Sequence, residues 1–183
     1  MHHFRYQANE LYCEEVPLSR IAEEVGTPLY IYSHATIERH FRVMDCAFEG
    51  MDRLICFAMK ANSNLALLRA ISKWGGGADI VSGGELFRAL TAGTPPDRIV
   101  YSGVGKMRHE MAYALKSGIL QFNVESETEL DALDEVARGM GKAAPVSIRV
   151  NPDINPKTHP YISTGLKKSK FGVPVAESLK LYE

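Results

Sequence analysis

Arg53-Leu54-Ile55-Cys56-Phe57-Ala58-Met59-Lys60-Ala61-Asn62 is an apolar run that ends in one lysine and passes into the polar turn Asn62-Ser63-Asn64. Read as a strand, its side chains alternate between two faces. Leu54, Cys56, Ala58 and Lys60 share one face, and Ile55, Phe57 and Met59 share the other. Small residues precede the lysine on its own face and leave room beside its long side chain. Taken alone, this lysine reads more simply as a solvated strand end.

The surrounding rhythm changes that reading. Further apolar strand segments lie at Ala78–Val81, Ile99–Tyr101, Leu120–Val124 and Val146–Val150. Helical patterns follow the first four strands, at Leu65–Trp74, Glu85–Ala92, Met107–Lys116 and Glu127–Gly139. A strand every ~20–25 residues is the period of a βα unit with short loops. The strands read as near-continuous apolar runs, as in a parallel sheet covered on both faces.

Two architectures fit: a doubly wound sheet and a (β/α)8 barrel. The dinucleotide fingerprint G-x-G-x-x-G is missing after the first strand, which weighs against the doubly wound version. Gly103 and Gly105 form only a lone G-x-G. A barrel needs about 250 residues, so 183 residues with about five strands read as an incomplete barrel. Gly75–Gly77 and Gly83–Gly84 read as turn and close-approach positions rather than a phosphate cradle.

Ahead of this series the chain reads differently. Ser19 is placed to cap a short helix through Glu24 that Gly26 ends. Leu29-Tyr30-Ile31-Tyr32 follows as an extended run of β-formers. From Thr36 to Phe48 the spacing is helical, with Ile37, Phe41, Met44 and Phe48 on a face expected to be core.

Bulk properties exclude several classes. With 21 Lys+Arg against 22 Asp+Glu, the net charge of -1 gives no basic footprint for nucleic acid or an anionic membrane. No apolar run approaches the roughly 20 residues of a membrane span, and no signal-peptide core precedes Glu15. Cys13, Cys46 and Cys56 lack metal-ligand spacing, and an odd, sparse set suits a reducing, cytoplasmic setting. Cys56 is expected to pack as a small hydrophobe.

In a barrel, chemistry gathers at the C-terminal ends of the strands. Lys60, Asp79, Ser82, Ser102, Glu125, Arg149 and Asn151 all fall at such ends and converge on one mouth. A lysine buried there loses its proton more easily, and its neutral amine can attack a carbonyl. With pyridoxal phosphate, that attack links the cofactor to the chain and puts an electron sink next to the substrate.

Phe57-Ala58-Met59-Lys60-Ala61-Asn62 resembles the cofactor-lysine motif of the fold-type III pyridoxal-phosphate enzymes, whose barrel is of the alanine racemase type. Gly77-Ala78-Asp79-Ile80-Val81-Ser82-Gly83-Gly84-Glu85-Leu86 resembles the next signature of their decarboxylase branch, and Gly26-Thr27-Pro28-Leu29-Tyr30-Ile31-Tyr32 its entry into the barrel. Most specific are Arg149-Val150-Asn151-Pro152, Thr158-His159-Pro160-Tyr161-Ile162-Ser163-Thr164-Gly165 and Ser169-Lys170-Phe171-Gly172. Together these resemble the diaminopimelate decarboxylases, from about Val16 to Glu183.

The resemblance implies decarboxylation of meso-2,6-diaminopimelate to L-lysine and carbon dioxide, the last step of lysine biosynthesis, by a cytoplasmic homodimer. It implies Lys60 as the catalytic cofactor carrier, with Asp79 and Arg149 beside the cofactor and Glu85 and His159 lining the pocket. Simpler readings stand next to these. Glu85 can serve a helix N-terminus through the dipole, Asp79 and Arg149 can be a structural ion pair, and His159 can shape a loop over the pocket.

The family's phosphate-binding glycine loop, the acid at the pyridine nitrogen and a cysteine-bearing motif all lie later than residue 183. Residues 1–28 are expected to pack with a C-terminal β-domain, and 29–183 to form the first part of the barrel. The chain alone is expected to be inactive. The alternatives are a related decarboxylase for ornithine, arginine or carboxynorspermidine, and a non-catalytic homologue.

Overall fold

The structure, a computed structural model, describes residues 2–154 and 171–182. Its contacts divide the chain into two compact units, Met1–Arg53 and Leu54–Glu183.

The first unit opens with a hairpin, β1 (Phe4–Gln7) against β2 (Glu10–Cys13), in antiparallel register with Gln7 opposite Glu10. The two-residue loop Ala8–Asn9 takes positive φ at both positions (49° and 64°), the twist a tight hairpin needs. The short strand β3 (Val16–Pro17) adds to β2. Helix α1 (Leu18–Val25) follows and Gly26 ends it with φ 91°. Ser19 is not its cap. Pro17 holds the cap position, so the helix starts two residues earlier than a Ser19 cap would set it, and the Ser19 hydroxyl donates to the Glu10 carboxylate.

Residues 29–32 form no strand; they run as non-ladder backbone into α2 (His34–Ala47). Glu14 and Ser33 build the start of α2. The Ser33 side chain accepts from Thr36 N–H, and the Glu14 carboxylate accepts from the Ser33 hydroxyl and the Ala35 N–H. No residue of α2 is buried, and Met44 at 52% exposure is not core. A three-stranded sheet of short strands is too small to enclose a four-turn helix.

The second unit is a five-stranded parallel sheet: β4 (Cys56–Ala58), β5 (Gly77–Ile80), β6 (Ile99–Tyr101), β7 (Gln121–Val124) and β8 (Val146–Ile148). The strands lie in strict sequence order. Helices α3 (Leu65–Lys73), α4 (Gly83–Ala92), α5 (Arg108–Ser117) and α6 (Glu127–Gly139) alternate with them. The pieces β9 (Val150–Asn151) and β10 (Val173–Pro174) pair in parallel, and α7 (Val175–Ser178) follows.

The core decides between the two architectures. Met59, Ile80, Ile99, Tyr101, Phe122 and Val124 are at most 1% exposed and form one cluster with buried residues of α3 to α6. These strand residues share one parity, so all four helices cover the same face. Sequential order with helices on one side is the single winding of a (β/α)8 wall, whereas a doubly wound sheet reverses order and carries helices on both sides. The apolar runs led to an expectation of two covered faces. Within the described residues only one face is covered, because the second face bears small and polar side chains.

Gly77 shows how tightly the β5–β6 edge is set. A Cβ there would collide with the Arg98 carbonyl oxygen and meet Cys56 Sγ at 3.0 Å. Gly77→Ala is therefore expected to destabilise the complete protein by about 2–3 kcal/mol, since the obstacle is backbone. A urea midpoint equal to that of the parent would refute this.

Among the described residues no helix is long and apolar enough to cross a membrane, and no group of three metal-ligating side chains gathers.

Candidate active site

Register carries the polar face of the sheet across all five strands. Ala58 pairs with Asp79, Asp79 with Val100, Val100 with Gln121, and Asn123 with Ser147. Facing residues of adjacent strands point the same way, and so do residues two apart. Lys60, Asp79, Ser102, Asn123, Ser147 and Arg149 therefore project from one face, with Glu125 among them. They line a cavity of about 460 Å³, to which Val81, Gly103 and Phe171 also contribute.

Lys60 sits in the turn after β4. It is exposed rather than buried, because β4 is the last strand on its side of the described sheet and solvent reaches the turn. Its ammonium makes no hydrogen bond or ion pair with any described residue. Lys106 is its opposite. The Lys106 side chain is 0% exposed, and its Nζ donates to the Gly103 carbonyl at 2.7 Å, the Asn123 carbonyl at 2.9 Å and Glu129 Oε1 at 2.5 Å. It also stands 5.6 Å above the Tyr101 ring centroid. A lysine with all three protons engaged is structural, and a lysine with none engaged beside a cavity is available for chemistry.

Arg149 is paired with Glu125, not with Asp79. Its Nη1 donates to Glu125 Oε1 at 2.8 Å, and its guanidinium carbon lies 4.8 Å from the Phe171 ring centroid. Glu125 is 2% exposed and accepts a second bond from the Gly172 N–H at 3.2 Å. Asp79 is bound from the other side, by the Ser102 hydroxyl at 2.5 Å.

Three helices start over this face, and each start is closed by its own glutamate. Ser82 caps α4, while Glu85 Oε2 accepts from the Val81 N–H at 2.8 Å. Ser126 caps α6 in the same way, and Glu129 Oε2 accepts from the Glu125 N–H at 3.1 Å. Glu110 of α5 accepts from the N–H groups of Gly83 and Met107 and from the Tyr101 hydroxyl. Burial by itself would raise the Glu110 carboxyl, but these donors together hold it below the ordinary glutamate range. A carboxyl lowered by folding stabilises in full above its unfolded value and loses that contribution as pH falls through the folded one. Glu110→Gln is thus expected to flatten the acid limb of a stability–pH curve, and an unchanged limb would count against this role.

Burial and then the Asp79 charge push the Cys56 thiol up to about 11, so this cysteine stays a protonated, small apolar filler beneath the cavity.

Residues 34–183 match the pyridoxal-binding domain of the pyridoxal-dependent decarboxylases. The chain belongs to that family. It is similar to diaminopimelate decarboxylase of Haemophilus influenzae, 51% identical over 183 residues that cover 100% of this chain and 44% of that one. The Pseudomonas aeruginosa enzyme of the same name is 54% identical, with 98% and 43% covered. Among solved structures, diaminopimelate decarboxylase of M. jannaschii in complex with L-lysine superposes with TM-score 0.90 at 37% identity, covering 100% of this chain and 44% of that chain. The Helicobacter pylori enzyme complexed with L-lysine gives 0.87 at 48% identity, with 90% and 42% covered. The chain thus spans less than half the length of these relatives, and its fold matches part of the decarboxylase barrel.

Pyridoxal phosphate is the cofactor of this domain, and the residues present fit it. A free primary amine faces a polar-walled cavity in the size range of small-molecule sites. The starts of α4, α5 and α6 suit a phosphate poorly, since Glu85, Glu110 and Glu129 put a carboxylate at each and already accept from the Val81, Gly83, Met107 and Glu125 N–H groups.

The structure brings Lys60, Asp79 and Arg149 to one cavity. Glu85 is not in its lining and stands at the α4 start. His159 lies outside the described residues, as do Thr158–Gly165 and Ser169–Lys170. Asn151, also read as a strand-end residue, donates to the Phe171 carbonyl instead. Sequence reading missed Asn123 and Ser147. Each lies two residues before a recognised one, Glu125 or Arg149, so extending the period of two inward would have found both.

Proposed function

We propose that the complete protein carrying this chain decarboxylates meso-2,6-diaminopimelate to L-lysine and carbon dioxide, with Lys60 holding pyridoxal phosphate. The observation that carries the reading is the Lys60 amine at the cavity, with no hydrogen-bond or ion-pair partner among the described residues. The curated relatives near 50% identity and the L-lysine held by two solved relatives support the substrate class.

When bound, the cofactor supplies an electron sink for the pair left behind by the departing carboxylate. The chain's own residues do the rest. Lys60 would hold the cofactor through its primary amine. Arg149, 40% exposed and held by Glu125 and Phe171, offers a fixed cation to an anionic group of the cofactor or substrate. Asp79 supplies an anion on the same wall. Glu85 keeps the β5–α4 turn in place. Residues 1–28 pack with a later β-domain, and two copies form the working dimer.

The test uses the full-length protein: pyridoxal phosphate is added, the link is reduced with borohydride, and peptides are mapped. The expected result is one adduct, on Lys60, together with carbon dioxide and L-lysine from meso-diaminopimelate. Adducts spread over many lysines would overturn the site. Faster turnover of ornithine, arginine or carboxynorspermidine would move the substrate, and an adduct without any turnover would make this a non-catalytic homologue.

A further inference from the structure

The polar wall of the cavity contains a hydrogen-bonded chain with a fixed direction. Gln121 Nε2 donates to Asn123 Oδ1 at 2.9 Å, Asn123 Nδ2 donates to Ser102 Oγ at 2.9 Å, and Ser102 Oγ donates to Asp79 Oδ1 at 2.5 Å. Four side chains from β7, the end of β6 and β5 are strung across three adjacent strands. A carboxylate can only accept, so the chain must end there, and every donor upstream is committed to pointing at it. Such alignment strengthens each member and restricts the last one.

The charges on the same wall say why Asp79 is the terminus. Among the described residues, Lys60, Asp79, Glu125 and Arg149 are the charged groups lining the cavity. Glu125 and Arg149 neutralise each other at 2.8 Å. Among the described residues that leaves Asp79 as the anion with no ion pair, on the same face as a Lys60 amine that has no described partner. One Asp79 oxygen is tied by Ser102, and the second has no hydrogen-bond partner among the described residues.

We propose that Ser102 and Asn123 are positioning residues that orient the Asp79 carboxylate, one oxygen tied and the other presented to the cofactor cavity. Without the Ser102 hydroxyl the carboxylate can turn about its last torsion, and the Asn123 amide loses its acceptor. Neither residue needs to touch the cofactor; both act through Asp79. The proposal rests on the cofactor reading above, and the experiment separates the two.

The measurement is pyridoxal phosphate binding to the cofactor-free, full-length protein, followed by absorbance, with circular dichroism as a check of folding. Ser102→Ala is expected to weaken binding roughly tenfold, the usual cost of one hydrogen bond to a charged group. Ser102→Thr keeps the hydroxyl and is expected to bind like the parent. Asn123→Leu approaches the chain from its other end and is expected to weaken binding by a smaller factor. In an Asp79→Asn background, Ser102→Ala should add no further loss, because its route to the cofactor is already gone. A Ser102→Ala protein that binds like the parent would overturn the proposal, and so would losses that multiply in the double variant. Failure of the parent protein to bind at all would overturn the cofactor reading, and this proposal with it.

Discussion

Lys60→Ala is expected to remove the borohydride-fixed adduct at position 60 and to lower turnover of the full-length enzyme by roughly a thousandfold or more, about 4 kcal/mol of barrier. Among the described residues two lysines lie close to the cavity, and one of them, Lys60, has no hydrogen-bond or ion-pair partner there. Lys106 cannot take over, since its three protons are held by Gly103, Asn123 and Glu129 in a site with 0% exposure. The Lys60→Ala protein should also melt like its parent, because Lys60 forms no hydrogen bond or ion pair with any described residue. An adduct retained on another lysine with most of the activity would move the site, and a large drop in stability would show that Lys60 has a structural partner.

Lys106→Met is expected to do the reverse. Removing one member of a buried pair leaves the other charge uncompensated, which costs about 3–5 kcal/mol. Here the stranded group is Glu129, 10% exposed, and the Gly103 and Asn123 carbonyls lose their donor as well. Adding Glu129→Gln should recover a good part of the loss. The amide oxygen can still accept from the Glu125 N–H, and no charge is left stranded. Urea denaturation of the parent and both variants checks this. Lys106→Met within about 0.5 kcal/mol of the parent, the scale of an ordinary surface change, would mean that the pair is not buried in solution.

The βα series was legible because two signals agree there. The first four apolar strands of fixed period are each followed by a helix, and two of those helices open on a capping pattern, Ser82-x-x-Glu85 and Ser126-x-x-Glu129. The bounds of β6 and α6 match the sequence reading residue for residue. The hairpin at 4–13 was not legible. Its loop is Ala8–Asn9 without the glycine that marks such turns, and its first strand is largely exposed. Met44 was read as core from spacing alone, and spacing cannot say whether anything covers a helix face. At the cavity, Lys60, Asp79 and Arg149 were found by their motifs. The partner of Arg149 was not, because Glu125 and Asp79 both sit at strand ends and only register shows which one the guanidinium meets. Lys106 was hidden in an unremarkable G-x-G-K loop, and nothing in a sequence announces that a side chain folds back under its own turn.

The sheet's division into a packed face and a polar face has a consequence for how this chain can change over time. Neighbouring positions along one strand answer to different demands. Ala78, Ile80, Ile99 and Phe122 are at most 1% exposed and answer to close packing, whereas Asp79, Ser102 and Asn123 answer to whatever occupies the cavity. A lineage can therefore drift toward a new substrate by altering alternate residues of β5 to β7 while the residues between them keep the scaffold standing. The two kinds of adaptation share the same strands yet draw on separate sets of positions.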